Sequence, residues 1–143
     1  MRDVSHAGVL AYRLRPSGPE FLLVTTRSSG RWSIPKGYCT AAESRQTALK
    51  EAYEEAGVKG AVAQEPIGIF SHIKRGPPDD GECLVLLFSM KVTKQAASWP
   101  EKGQRRLMWA ALEEAQELVD SGLSQLIRRF AKKLVPKRDR GTT

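Results

Sequence analysis

At 143 residues, with 41% hydrophobic and 27% charged side chains, the chain has the make-up of one globular domain with its own core. No apolar run reaches membrane-spanning length, and the two cysteines, Cys39 and Cys83, show neither metal-ligand spacing nor a disulfide framework, which excludes a membrane span and a disulfide scaffold. The net charge of +7 invites a nucleic-acid partner, yet residues 128–140 alone hold seven basic residues against one acid, so the rest is nearly neutral and nucleic acid is not the expected partner.

The first residues, MRDVSHAGVLAYRL, lack the apolar core and cleavage site of a signal peptide, and a reducing cytoplasm is the expected setting. Residues 4–14 and 21–27 read as strands, joined by the turn-rich Arg15-Pro-Ser-Gly-Pro-Glu20. The second is almost continuously apolar, as in a strand buried on both faces. A short extended segment, Arg31-Trp-Ser-Ile34, leads into Pro35-Lys36-Gly37. Thr40-Ala-Ala-Glu43 has the form of a capping box and predicts a helix over 41–56.

Within that helix Ala48, Leu49, Ala52, Tyr53 and Ala56 form one apolar stripe, and Glu51, Glu54 and Glu55 fall on the opposite face. Gly57 then stops the helix as a C′ residue. Three carboxylates on one turn repel each other, and Lys50 alone cannot neutralise them. One reading is an ordinary acidic, exposed helix. The other is a turn that holds a hard divalent cation, which takes oxygen ligands and usually binds one or two carboxylates plus substrate phosphates.

Past the helix, a strand is expected to end near His72, followed by a loop over 74–81 and a long strand over 83–93. A second loop over 94–104 carries Trp99-Pro100-Glu101, and a strand over 105–110 and a helix over 112–119 follow. Leu123, Leu126, Ile127, Phe130, Ala131 and Leu134 mark an amphipathic last helix. His6 and His72 read as half-buried strand residues, since neither has a second histidine at metal spacing. Residues 1–135 form one expected domain, and 136–143 a basic tail expected to be disordered. The order of elements suits an α/β/α layered domain.

Gly37, Glu43 and Lys50-Glu51-x-x-Glu54-Glu55-x-Gly57 together resemble the signature of the Nudix hydrolase family: Gly, five residues, Glu, seven residues, Arg-Glu, an apolar residue, any residue, Glu-Glu, any residue, Gly. Two departures stand out. Six residues, not seven, separate Glu43 from Lys50, and Lys50 replaces Arg. Trp32-x-x-Pro35-Lys36-Gly37, Ile67-Gly-Ile-Phe70 and the pattern from Trp99 to Ala115 extend the likeness, in particular to the branch that cleaves diphosphoinositol and diadenosine polyphosphates.

The resemblance implies an α/β fold, a Nudix-type α/β/α sandwich with a mixed central sheet. It implies hydrolysis of a phosphoanhydride in a small polyphosphorylated molecule, with Mg²⁺ as cofactor and Mn²⁺ as its alternative. Glu51 and Glu55 become metal ligands, with the Lys36 carbonyl as a backbone ligand. Glu54 becomes the general base or a further ligand, held by Lys50. Glu43 stands between two readings, an accessory carboxylate near the metal or a helix-start residue. Arg27, Arg31, Lys36, Gly37, Lys74, Arg75, Arg105 and Arg106 are the candidate phosphate contacts. The alternative is a Nudix fold that binds a nucleotide or an RNA end without turning it over, a reading favoured by Lys50 and the shortened box.

Overall fold

In the computed structural model the described residues are 3–74 and 81–134, the Lys74 side chain excepted. Alternation along the strands decides the architecture, because successive side chains leave a strand on opposite faces. In strand β1 (His6–Arg15), Ala7, Val9 and Ala11 enter one core and Leu10 the other. In β2 (Gly18–Thr25), Leu22 and Val24 join the first of these and Phe21 and Leu23 the second. Both faces are therefore buried.

The remaining strands are β3 (Trp32–Ser33), β4 (Lys36–Tyr38), β5 (Val58–Val62), β6 (Gly68–Lys74), β7 (Gly81–Gln95) and β8 (Leu107–Ala111). The sheet runs β3-β2-β1-β7-β5, with β4 also paired to β1, β6 to β7 and β8 to β2. β1 and β7 are parallel, His6 opposite Val85 through Tyr12 opposite Lys91, and the other pairings are antiparallel. Helix α1 (Ser44–Ala56) covers one face; α2 (Leu112–Leu118) and α3 (Ser121–Leu134) cover the other. The expected α/β/α sandwich with a mixed sheet is present. No helix of the described residues is long and apolar enough to cross a membrane.

Three local expectations need correcting. The turn between β1 and β2 is only Pro16-Ser17, since Arg15 pairs with Gly18, whose φ of 129° suits glycine, so β2 starts three residues early. Residues 41–43 form a 3₁₀ turn, closed by the Glu43 amide on the Thr40 carbonyl at 3.1 Å, and Thr40 offers no side-chain cap. The helix proper begins at Ser44, whose Oγ donates to the Ala41 carbonyl at 3.0 Å. Finally, β5 occupies a stretch with no strand signal. Its VKGAV sequence buries only Val58 and Val62, and Gly60 lets the Lys91 carbonyl approach at a bulge in its pairing with β7.

The buried stripe of α1 is Ser44, Ala48, Ala52 and Ala56, spaced by four, together with Glu55. Leu49 is exposed, and Tyr53 is half-buried beneath the Lys59 ammonium, 4.9 Å from its ring. Small side chains on the inner face let the helix lie close to the sheet. Gly57, at φ 71°, closes the helix by donating to the Ala52 and Tyr53 carbonyls.

Candidate active site

At one end of the sheet a cavity of about 540 Å³ opens, a volume suited to a nucleotide-sized molecule. α1 supplies Lys50, Glu51, Glu54 and Glu55, and β4 supplies Lys36, Gly37 and Tyr38. The end of β2 and the loop after it bring Thr25 and Arg27; the loop before β8 brings Glu101 and Arg105. β4 is fixed against β1 by pairing of Gly8 with Lys36 and His6 with Tyr38, so the loop ahead of α1 cannot drift from the helix.

Glu51 and Glu55 lie one helical turn apart, on one side of the helix, where their carboxyls influence each other's protonation. Glu55 is only 5% exposed, which rules out for it the reading of an ordinary acidic, exposed helix. Burial pushes its carboxyl up to about 8; the Arg105 guanidinium opposes this, and the Glu51 carboxyl adds to it. Burial also raises Glu51, with the Glu55 carboxyl pulling the other way and the Glu54 charge reinforcing the rise. Glu54 stands at the rim, with Lys50 Nζ 4.0 Å from its Oε2.

Gly37 backs Glu51 closely: a Cβ at position 37 would come within 2.6 Å of the Glu51 Cδ and Oε2. Among the described residues no three His, Cys, Asp or Glu side chains stand close enough to hold an ion unaided. Two adjacent carboxyls open to a cavity are instead the donor set of a hard cation that completes its shell with water and phosphate oxygens. The residues fit a magnesium-class ion of that kind.

The candidate phosphate contacts divide. Arg27, Lys36, Gly37 and Arg105 line the cavity. Arg27 Nη1 donates to Gln104 Oε1 at 2.8 Å on the exposed side. The Arg105 side chain, 9% exposed, is committed to Glu101, Glu55 and the Thr25 carbonyl. Arg31 is ion-paired to Asp120 in a smaller adjoining cleft of about 90 Å³. Arg106 lies outside the cavity lining; its guanidinium sits 5.1 Å over the Trp32 ring and its amide donates to Thr25 Oγ1. Arg75 and the Lys74 side chain are outside the described residues.

Glu43 is exposed at the end of the 3₁₀ turn and outside the cavity lining; it stands at the N-cap of α1 without a side-chain capping bond, so of its two expected readings the structure favours the helix-start residue. Its charge acts instead on Cys39, whose thiol is raised first by burial and then by Glu43.

Sequence reasoning missed several lining residues. His6 is 5% exposed, bonded to Ser5 Oγ through Nδ1 at 2.7 Å and packed against Tyr38 with ring centroids 4.2 Å apart. It and His72 both line the cavity, which their isolation in sequence did not suggest. Glu101 is there too, its amide bonded to the Glu54 carbonyl at 3.0 Å. The i,i+4 spacing of Glu101 and Arg105 was the one available signal.

Residues 4–130 match the NUDIX domain family model. The chain is similar to "Nudix hydrolase 12, mitochondrial" of Arabidopsis thaliana, 34% identical over 69% of this chain and 51% of that protein. It is also similar to diphosphoinositol polyphosphate phosphohydrolase 3-alpha of Mus musculus, 28% identical over 76% and 65%. The chain thus spans about half to two thirds of the length of these curated relatives. The crystal structure of a C. elegans Ap4A hydrolase superposes with a TM-score of 0.67 at 21% identity, over 94% of this chain and 100% of that one, a likeness of fold.

Proposed function

The chain belongs to the Nudix family, and from that premise we propose that it is a metal-dependent pyrophosphohydrolase of polyphosphorylated small molecules. One observation carries the reading: Glu51, Glu54 and Glu55 meet Arg27 and Lys36 in a single cavity, carboxylates on one wall and cations on the others. A phosphoanhydride is shielded by its own negative oxygens, so neutralising and positioning them is most of the catalytic task.

Glu51 and Glu55, with the Lys36 carbonyl, would hold Mg²⁺, or Mn²⁺ in its place. That ion supplies Lewis-acid polarisation of phosphoryl oxygens and a more acidic water. Glu54, at the rim, accepts the proton of the water that attacks phosphorus, while the bond to the leaving phosphate oxygen breaks. Lys50 holds Glu54 in place, and Arg27 and Lys36 draw the polyphosphate in. The finer reading is a diphosphoinositol or diadenosine polyphosphate, supported by the similarity to the mouse relative. Cys39 and Cys83 are not joined in a disulfide, which suits a reducing compartment, the cytoplasm.

A panel of these substrates, ADP-ribose and nucleoside triphosphates, assayed with Mg²⁺ or Mn²⁺, tests the proposal. Glu54→Gln should lower turnover about a hundredfold or more at unchanged fold. Binding without turnover by the wild-type chain, with either metal, would leave the binding-module reading in its place.

A further inference from the structure

Arg105 is placed by sequence among the phosphate contacts, yet its guanidinium is turned toward protein. Nη2 lies 2.9 Å from Glu101 Oε1 and 3.5 Å from Glu55 Oε2, and Nη1 donates to the Thr25 carbonyl at 3.3 Å. The side chains of Arg105, Glu55 and Glu101 are 9%, 7% and 22% exposed. Three separate elements, α1, the end of β2 and the loop before β8, thus fix one permanent cation against a buried carboxylate. The loop is fastened in turn. Glu101 donates its amide to the Glu54 carbonyl, Ala96 its amide to the Gly57 carbonyl, and Gln95 Nε2 bonds to the Ala56 carbonyl at 2.9 Å. Trp99 packs where a Cβ on Gly57 would fall.

A guanidinium so held does two things to Glu55. It orients the carboxylate, and it places a positive charge beside the carboxylate that would hold a divalent cation, in a site poorly screened by water. Glu101 counters part of that charge, because it shares the same Nη2. We propose that Arg105 is a positioning residue of the metal site: a built-in counter-cation of Glu55 whose charge, moderated by Glu101, weakens divalent-metal binding until substrate phosphates arrive. This rests on the proposed metal-dependent hydrolase reading and deepens it.

The test is Mn²⁺ affinity of the full, substrate-free chain, read from the signal of free Mn²⁺ by electron paramagnetic resonance. Arg105→Met should tighten Mn²⁺ binding by about tenfold, whereas Arg105→Lys, which keeps the charge, should stay within about threefold of wild type. Glu101→Gln should act in the opposite direction and weaken Mn²⁺ binding, and it remains informative if Arg105→Met does not fold. A non-hydrolysable polyphosphate should restore tight Mn²⁺ binding to the wild-type chain. Unchanged or weaker Mn²⁺ binding in Arg105→Met overturns the proposal, as does tighter binding in Glu101→Gln. If Arg105 were instead a phosphate contact, Arg105→Met would raise KM at constant Mn²⁺ affinity. A wild-type chain that binds no Mn²⁺, with and without the polyphosphate, would remove the hydrolase reading itself, and so fails differently.

Discussion

Gly37 and Glu51 occupy space that only one side chain can fill: a methyl group on residue 37 would stand 2.6 Å from the Glu51 carboxyl carbon. The glycine is therefore required by the neighbouring carboxylate. Gly37→Ala should move Glu51 off its position while costing about 1 kcal/mol of stability, because the colliding atoms are the end of a flexible side chain. Turnover should fall about tenfold or more with Tm shifted by a few degrees. Wild-type turnover in a folded Gly37→Ala variant would show that Glu51 works from another position.

The raised carboxyl of Glu55 makes stability depend on pH. Between the ordinary value of 4.5 and about 8, the folded chain keeps a proton that the unfolded chain has released, so stability falls as pH rises through this window. The metal-free protein should show its Tm declining from pH 5 to pH 8, and Glu55→Gln should flatten that decline. Saturating Mn²⁺ should oppose the decline, since the ion binds the ionised carboxyl. An equally steep decline in Glu55→Gln assigns the effect elsewhere.

Lys50 is 65% exposed and only just within ion-pair reach of Glu54, so the contact is worth about 0.3–0.5 kcal/mol to the fold. Its effect belongs to catalysis. Lys50→Arg should keep or raise turnover, because the planar fork holds a carboxylate better than a point charge. Lys50→Ala should lower turnover several-fold at nearly constant Tm. An Arg variant slower than the Ala variant would mean that the shortened box directs this side chain elsewhere.

Arg27 faces the cavity and Arg106 does not. Arg27→Ala should raise KM for diadenosine or diphosphoinositol polyphosphates several-fold, and more than for a nucleoside triphosphate. Arg106→Ala should leave KM almost unchanged and act through the lost stacking on Trp32, a loss of about 0.5–1 kcal/mol. Reversed effects on KM would place the polyphosphate over the Trp32 side of the cleft.

What could be read in the sequence was what is local. The nearly continuous apolar run from Phe21 to Val24 gave a strand buried on both faces, and the 3- and 4-residue spacing of Glu51, Glu54 and Glu55 put them on one turn. β5 escaped because Lys59, Gly60 and Ala61 carry no apolar alternation, and its pairing is supplied by β7 across the chain. The burial of Glu55 escaped for a similar reason, since Arg105, fifty residues away, is its counter-charge. Arg31 and Arg106 are candidates by resemblance, as cations on loops flanking the carboxylate helix. Asp120 and Trp32, as tertiary partners, hold them elsewhere.

The parallel pairing of β1 with β7 also sets a schedule for synthesis. β1 is made before β7, and its partner residues 85–91 leave the ribosome only after β2, α1, β5 and β6. Until then the β1–β2 hairpin lacks β7, and its Leu10, Phe21 and Leu23 face also lacks α2 and α3, which come later still, while α1 is already made for the other face. A nascent chain stalled in that interval presents an uncovered apolar face and an unpaired edge, the conditions for association with other chains. Slowed translation between residues 25 and 85 should thus lower soluble yield without any change to the sequence of the finished protein.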